Sequence, residues 1–490
     1  MAISFNQIGN DLRVPFVAAE FDPSRASQGP ALLAYKALLV GQKLAAGTAV
    51  ADTLYKVTSV AQVITLAGRG SMLHRQAIAW FAANTSTELW IGVLDDDGAA
   101  VKNARTITVT GPATADGTLV LYPGGERITV AVTSGDVQND IAAAINTAIN
   151  AALDLPATSG VAANVVTVTQ RNAGAAGNDY DIRDSYRDGE ALPAGVTVAY
   201  AQTVAGATNP VLTNLIAALG DEWYHLWSHP YTDATSLTAI EGELASRFGP
   251  LRMIDGVAIT SAFGSHATLT SLGDGRNSPH SVIAAQPGAN PLTPAAEFAA
   301  EYAGIIARYG AADPARPFQT LAMTHALPPA RVDRFTFSER NLQLFDGIAT
   351  SRVGAGDVVQ VERPVTTYQE NAAGADDTAY LDVTTMLTLM YLRYSFRVRM
   401  QTRYPRHKLA NDGTRFGAGQ AVMTPKLGAA EALGWFRQME TLGLVEDFAS
   451  FKASLLVERS VTDANRLDVL LPPDLINQLV VTATQIQFRV

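Results

Sequence analysis

The 490-residue chain contains no cysteine, which excludes disulfides, thiolate nucleophiles and cysteine-based metal sites. That composition fits folding in a reducing compartment. Charged residues are also scarce, at 17%, and acids outnumber bases to leave a formal charge of −10. Phosphate binding draws on basic surface and counterion release, so no direct nucleic-acid partner is expected. Long apolar runs are lacking as well. The opening MAISFNQIGNDLRV has no charged segment followed by an apolar one, and Lys36 interrupts the stretch Ala31 to Val40. Neither export nor membrane insertion is expected. No fixed-period repeat or low-complexity tract occurs, which excludes solenoids and propellers.

Signatures of chemistry are equally thin. His225 and His229 stand four apart, but Leu226, Trp227 and Ser228 separate them, Pro230 follows, and the glutamate of a zinc-protease helix is missing. The segment reads as a strand, on which such residues lie about 13 Å apart. Asp95, Asp96, Asp97 and Gly98 lack the alternating ligands and distal glutamate of a calcium loop, and read as a solvated turn. Gly68, Gly70 and Ser71 precede a helix without completing a phosphate-binding motif; a tight turn with Ser71 as helix cap accounts for them. No nucleophile elbow occurs. Gly264-Ser265-His266 is the nearest serine context, and an adjacent histidine is not an organised triad base. The segment Gly273 to His280, GDGRNSPH, reads as a turn around Asn277 and Ser278 before Pro279 in preference to a ligand site. No catalytic residue, metal site or cofactor is assigned, and the chain is expected not to be an enzyme. The alternative is an α/β hydrolase with a β-rich binding insert, resting on Ser265.

What is present is apolar and patterned. Apolar residues make up 48%, enough for a globular chain, and domains of roughly 100 to 200 residues imply three or four of them. YKALLVG and ELWIGVL are strand-like, while SVAQVITLAGRG and SMLHRQAIAWFAAN between them have helical spacing. From Asp95 to about Gly206 the texture becomes strands broken by Gly/Pro turns: RTITVTG, GTLVLYPGG, ERITVAVTSG, NVVTVTQRN and GVTVAYAQTV. One helix interrupts them, roughly Asp136 to Leu153, with Ser134 or Asp136 available as cap. The α/β rhythm then resumes: a helix around Leu212 to Leu219, the strand-like EWYHLWS, a helix from Ala234 to Phe248, the strands MIDGVAIT and HSVIAAQ, and a helix from Pro294 to Tyr309. Strands separated by helices imply a mainly parallel sheet covered on both faces. Residues 314–377 read as connecting and partly irregular. Beyond them come a long helix in LDVTTMLTLMYLRYSFRVRMQTRY and a second from Pro425 to Leu442, capped by Thr424 and closed by Gly443. The strands SLLVERS, RLDVLLP and LVVTATQIQFRV follow.

Two features point outward from the chain. Arg393, Arg397, Arg399, Arg403, Arg406 and Lys408 form a basic run without an acid between Tyr391 and Leu409. It is either a docking face or a solvated one paired with the chain's own carboxylates. The ends are the second feature. In IGNDLRVPFVAAEFD, Pro15 restricts the stretch to an edge or arm strand. At the other end Val480, Thr482, Thr484, Ile486, Phe488 and Val490 alternate with Val481, Ala483, Gln485, Gln487 and Arg489, where fraying is the norm. Such a strand adds either to its own sheet or to a neighbour's, and both readings stay open.

IGNDLRVPFVAAEFDPSRA, LLVGQ, TLAGRGSMLHR, GDGRNSPH and PPDLINQLVVTATQIQFRV together resemble the tail sheath proteins of Mu-like contractile phages. The resemblance runs over nearly the whole chain; the insert is read from composition alone. It implies a structural subunit that stacks as hexameric rings or a six-start helix around a tail tube, then contracts to drive the tube through a bacterial envelope. The implied fold is α/β plus α+β. An amino-terminal arm (1–22) leads into a split α/β domain (23–94 and 207–377) carrying a β-rich outer insert (95–206). A C-terminal inner α+β domain (378–476) and a terminal strand (477–490) complete it. The resemblance also implies arms that complete sheets in adjacent subunits, through Leu12, Arg13, Val14, Phe16 and Val17 at one end. Val480, Val481, Thr482, Thr484, Ile486, Phe488 and Val490 serve at the other. Expected partners are further copies of the chain and the tail tube, baseplate and tail terminator proteins, in a virion assembled in the host cytoplasm. The basic run from Arg393 to Lys408 is then expected to face an acidic tube exterior.

Overall fold

The computed structural model describes residues 33–489; Leu12, Arg13, Val14, Phe16, Val17 and Val490 of the expected arms lie outside the described residues. Two units form: one of residues 34–391, 443–446 and 474–489, the other of residues 392–442 and 447–473. The larger begins with β1 (Lys36–Gln42), β2 (Thr53–Val57), α1 (Val60–Ala67), α2 (Met72–Ala83) and β3 (Glu88–Leu94). Both helices start on a serine whose side chain accepts a backbone N–H of the first turn, Ser59 from Gln62 and Ser71 from His74. Strand β3 pairs parallel with β1 and antiparallel with β2, the short TLYKV that the periodicity passes over.

The chain then leaves the sheet for an antiparallel excursion: β4 (Ala104–Thr110), β5 (Gly117–Pro123), β6 (Ile128–Val132), α3 (Gln138–Ala151), β7 (Ala157–Ala162), β8 (Val165–Gln170), β9 (Ile182–Asp184) and β10 (Thr197–Val204). Its strands form two sheets, ordered β10-β4-β8-β7 and β6-β5-β9. Ile141, Ile145 and Ile149 make one stripe on α3 and pack with Ile107, Leu119, Val130 and Val166 from alternating strand positions. Neither Ser134 nor Asp136 caps α3. Its N-cap is Val137, without a side-chain bond, while Asp136 accepts from Thr133 N at 2.7 Å to close the preceding turn.

Back in the main sheet come α4 (Thr213–Ala218), β11 (Leu226–Ser228), α5 (Ala234–Phe248), β12 (Val257–Ala262), α6 (His266–Asp274), β13 (Ser281–Ala285), α7 (Ala295–Ala312), β14 (Ala322–Met323), α8 (Phe337–Phe345), β15 (Ile348–Val353) and β16 (Val359–Arg363). The nine-stranded sheet runs β14-β16-β15-β13-β12-β11-β1-β3-β2, parallel from β15 to β3 and antiparallel at its edges. Helices α4 and α5 cover Leu38, Val40, Trp227 and Ala258. On the other pleat Gly41 meets α2 so closely that a Cβ would sit 2.3 Å from Gln76 Oε1. Burial on both faces explains why β12 and β13 are uninterrupted by exposed residues. The region 314–377 is more regular than expected, holding β14, α8, β15 and β16. Its periodicity misleads because α8 turns apolar residues outward.

Helix α9 (Val383–Arg403) starts in the larger unit and from Leu392 belongs to the smaller. The remaining elements are β17 (Lys408–Leu409), β18 (Val422–Met423), α10 (Pro425–Thr441), β19 (Val445–Glu446), α11 (Phe448–Ser454), β20 (Leu456–Arg459), β21 (Leu467–Leu470) and β22 (Asp474–Leu475). Thr424 caps α10 and Gly443, at φ 71°, follows its end. Trp435 and Phe436 centre the smaller unit: Trp435 Nε1 donates to Ser395 Oγ at 2.9 Å, and Phe436 stacks on Phe451 at 4.1 Å. Strands β20 and β21 pair antiparallel, as do β19 and β22 in the larger unit. The fold is mixed α/β with several sheets.

Candidate functional site

The polar clusters singled out in the sequence turn out to hold the fold together. His225 is sandwiched between Tyr35 and Trp223, with ring centroids at 4.7 and 4.6 Å, and its Nδ1 accepts from Lys36 N at 3.0 Å. Burial pushes His225 down to about 3 and His229 to about 4, so both are neutral. Among the described residues no cluster of acids and histidines could hold a metal. Ser265 caps α6, accepting from Thr268 N, and shares a hydrogen bond with Thr268 Oγ1 at 2.9 Å. In GDGRNSPH, Asn277 Oδ1 accepts from Gln369 N and Glu370 N, Thr367 Oγ1 accepts from Ser278 N, and Arg276 pairs with Glu241. This turn is a clasp onto residues 367–370.

Open α/β sheets bind ligands beyond the carboxyl ends of their strands, where strand order reverses. Here that reversal lies at β1, flanked by β3 and β11. Residues 172–173 of the excursion from β3 close over the end of β1. Gln42, at the end of β1, donates to Asp96 Oδ1 and to Ala173 O, each at 2.6 Å. Asp96 also accepts from Asn172 Nδ2 and Ala173 N, at 2.9 and 2.8 Å. The acidic turn is thus a bracket between excursion and sheet, and only Asp97 keeps the expected turn role, accepting from Ala99 N.

A second bracket was not read from the sequence. Arg75 on α2 makes a bidentate pair with Glu297 on α7, both bonds at 2.8 Å, and reaches Glu126 of the excursion at 2.7 Å. His325 Nε2 lies 2.6 Å from the same Glu297 carboxylate. One turn on, Glu301 accepts from His325 N and Ala326 N at 2.8 and 2.9 Å. Burial works to raise Glu297, yet Arg75 and His325 outweigh it and hold it at about 2. For His325 burial works downward and is outweighed by Glu297, so its affinity for a proton rises. The available signal was two glutamates at i and i+4 in AAEFAAEYAGIIA, a helix otherwise apolar and buried nearly all round.

The assembly candidates divide. Beyond Leu475 no strand occurs among the described residues, so the expected terminal strand forms no ladder with the described part of its own chain. Gln478 still bonds Thr384, and Leu479 O accepts from Gln319 Nε2 at 3.5 Å. From Val481 to Arg489 every residue, Thr482 and Thr484 included, is exposed; Ile486 and Phe488 stand 84% and 83% open. Water satisfies so exposed a backbone, which leaves its N–H and C=O groups open to exchange for a strand partner. Of the basic run, Arg393 and Arg397 are half-buried on α9. Arg399 Nε and Arg403 Nη1 both bond Glu431 Oε2, at 2.7 and 3.3 Å. Burial would raise the Glu431 carboxyl, but Tyr404 and these two guanidiniums keep it low. Arg406 and Lys408 are exposed, and Lys408 Nζ donates to Gln420 Oε1. The run is therefore partly neutralised by its own unit.

Comparison with known proteins identifies the family. Residues 205–367 match the phage tail sheath protein central domain, and residues 375–489 the phage tail sheath C-terminal domain. The Mu-like prophage FluMu tail sheath protein of Haemophilus influenzae is 41% identical over 489 residues, spanning 100% of both chains. Among solved structures, an extracellular contractile injection system sheath in its contracted state aligns at TM-score 0.50 and 9% identity, over 98% of this chain and 99% of that one. A sheath tail protein from Desulfitobacterium hafniense gives 0.49 and 13%, over 94% and 100%. With full-length identity at that level and two matching domain models, the chain belongs to the phage tail sheath family and is a structural subunit of a contractile tail sheath.

Proposed function

We propose that copies of this chain polymerise around a tail tube as stacked hexameric rings, equivalently a six-start helix, and that contraction of this lattice drives the tube through the host envelope. The observation that carries the reading is the carboxyl-terminal segment. Val480, Thr482, Thr484, Ile486, Phe488 and Val490 alternate with Val481, Ala483, Gln485, Gln487 and Arg489, and residues 481–489 are exposed and form no ladder with the described residues of the chain. A strand left open in the monomer has its ladder to gain from a neighbour. Donation from each copy to the next is heterologous and does not close on itself, which builds a helix. Leu12 to Val17 are assigned the complementary amino-terminal role.

The domain plan follows the same reading. Residues 23–94 and 207–377 form the α/β domain, 95–206 an outer insert, 378–476 the inner α+β domain, and 1–22 and 477–490 the arms. Arg406 and Lys408 are the open end of the basic run and the stronger tube contacts; Arg399 and Arg403 support the inner domain through Glu431. Baseplate and terminator proteins cap the lattice, which assembles in the host cytoplasm. Extended and contracted lattices are two packings of rigid units that keep their arm pairing, the first held by a kinetic barrier.

Deleting residues 481–490 tests this. The truncated chain is expected to keep the wild-type melting midpoint, because the removed side chains described here are exposed, and to form no tubes in negative-stain micrographs. Normal tubes from the truncated chain refute the donated-strand reading.

A further inference from the structure

Helix α8 is turned inside out. Phe337, Leu342 and Phe345 are 77%, 51% and 74% exposed, whereas the polar Gln343 is 1% exposed. At 3.6 residues per turn, positions 337, 342 and 345 fall within about 140° of the helix circumference, so the three apolar side chains form one outward stripe. The orientation is pinned. Thr336 and Glu339 close a capping box at the first turn. Arg340 on the inner side donates to Glu362 Oε2 at 2.8 Å and to Phe335 O at 2.7 Å. Val332, 90% exposed, lies in the single turn just before the helix.

Size and charge limit what can cover this stripe. The exposed apolar area is on the order of 400 Å², a patch that marks an interaction surface. A stable dimer needs roughly 800 Å² per partner, so the stripe alone leaves the free subunit monomeric and suits a contact repeated through a lattice. Most charges near it are paired: Arg334 with Asp357 at 3.0 Å, Arg340 with Glu362, and Glu339 within its cap, while the exposed Arg331 lies 3.8 Å from Asp357. The face therefore offers apolar surface, not a field that would steer a charged partner.

We propose that the outward face of α8 packs against a second copy of this chain in the assembled sheath. The inference rests on the polymerisation reading above, since only a lattice supplies the further contacts that make so small a patch useful. Two variants test it beside the wild type. Phe337→Ser combined with Phe345→Ser is expected to melt as wild type and to raise the critical concentration for tubes at least about tenfold, the scale of a single interface anchor. An unchanged critical concentration overturns the inference while leaving polymerisation standing; a wild type that forms no tubes overturns both. Replacing Phe345 with the photo-crosslinker p-benzoylphenylalanine keeps the ring in place. Irradiated tubes are expected to give an adduct of two sheath chains, whereas an adduct with the tube protein, or monomer alone, overturns it.

Discussion

Glu297→Gln isolates the bracket that ties α2, α7 and the excursion together. The change keeps the side chain's shape and removes one charge from a group 2% exposed. It leaves Arg75, itself 3% exposed, with Glu126 as its remaining ionic partner among the described residues. Breaking a buried pair from one side costs about 3–5 kcal/mol, mostly as the uncompensated charge left behind. Glu126→Gln touches the other end of the same guanidinium, but that carboxylate is 45% exposed and screened by water, so its loss costs about 0–1 kcal/mol. At roughly 2 °C per kcal/mol for a large domain, calorimetry of the purified subunit should place the Glu297→Gln transition on the order of 5–10 °C below wild type. Glu126→Gln should shift it by about 2 °C or less. Combining Arg75→Met with Glu297→Leu should recover much of the loss, because apolar replacements leave less buried charge. Equal shifts for the two glutamine variants, or a Glu297→Gln shift under about 2 °C, refute the claim that the buried half of the bracket carries the energy.

Asp179 caps α7 by accepting from Ala295 N, and burial pushes its carboxyl up to about 7. The folded state thus holds a proton that the unfolded chain releases near pH 4, so stability falls as pH rises between about 4 and 7. Asp179→Asn does not titrate, and its melting midpoint relative to wild type should climb from pH 5 to pH 8; a constant difference refutes the assignment. His325, with its raised affinity, loses stability in the same direction in both proteins and cancels from the comparison. Ser265→Ala should cost about 1 kcal/mol as a lost helix cap. A fluorophosphonate probe should label neither that variant nor the wild type, and labelling at Ser265 overturns its reading as a cap.

Much of the fold was legible where local and tertiary demands coincide. Ser71 and Thr424 cap the helices they were assigned, and the helix expected from Ala234 to Phe248 has those bounds. Strand β1 emerges from YKALLVG because both its faces are buried. Short elements were missed: β2, β7, α6 and α8 carry too few residues for periodicity to separate them from loop. α8 was doubly obscured because its apolar stripe faces away from the core. The clasp at Asn277 looked like a possible site for the same reason it is a good clasp, its density of hydrogen-bonding groups.

The sequence by itself determined the family, the parallel sheet interrupted by antiparallel strands, and the alternation of the terminal segment, because those features are written in local period and motif. Only the tertiary structure decided which polar groups meet across distance. It turned the Asp96 turn into a bracket, brought Arg75 to Glu297 and His325, and neutralised Arg399 and Arg403 on Glu431. It also left residues 481–489 without a ladder among the described residues. Pairing of charges and strands depends on residues far apart in the chain, and no local pattern contains that distance.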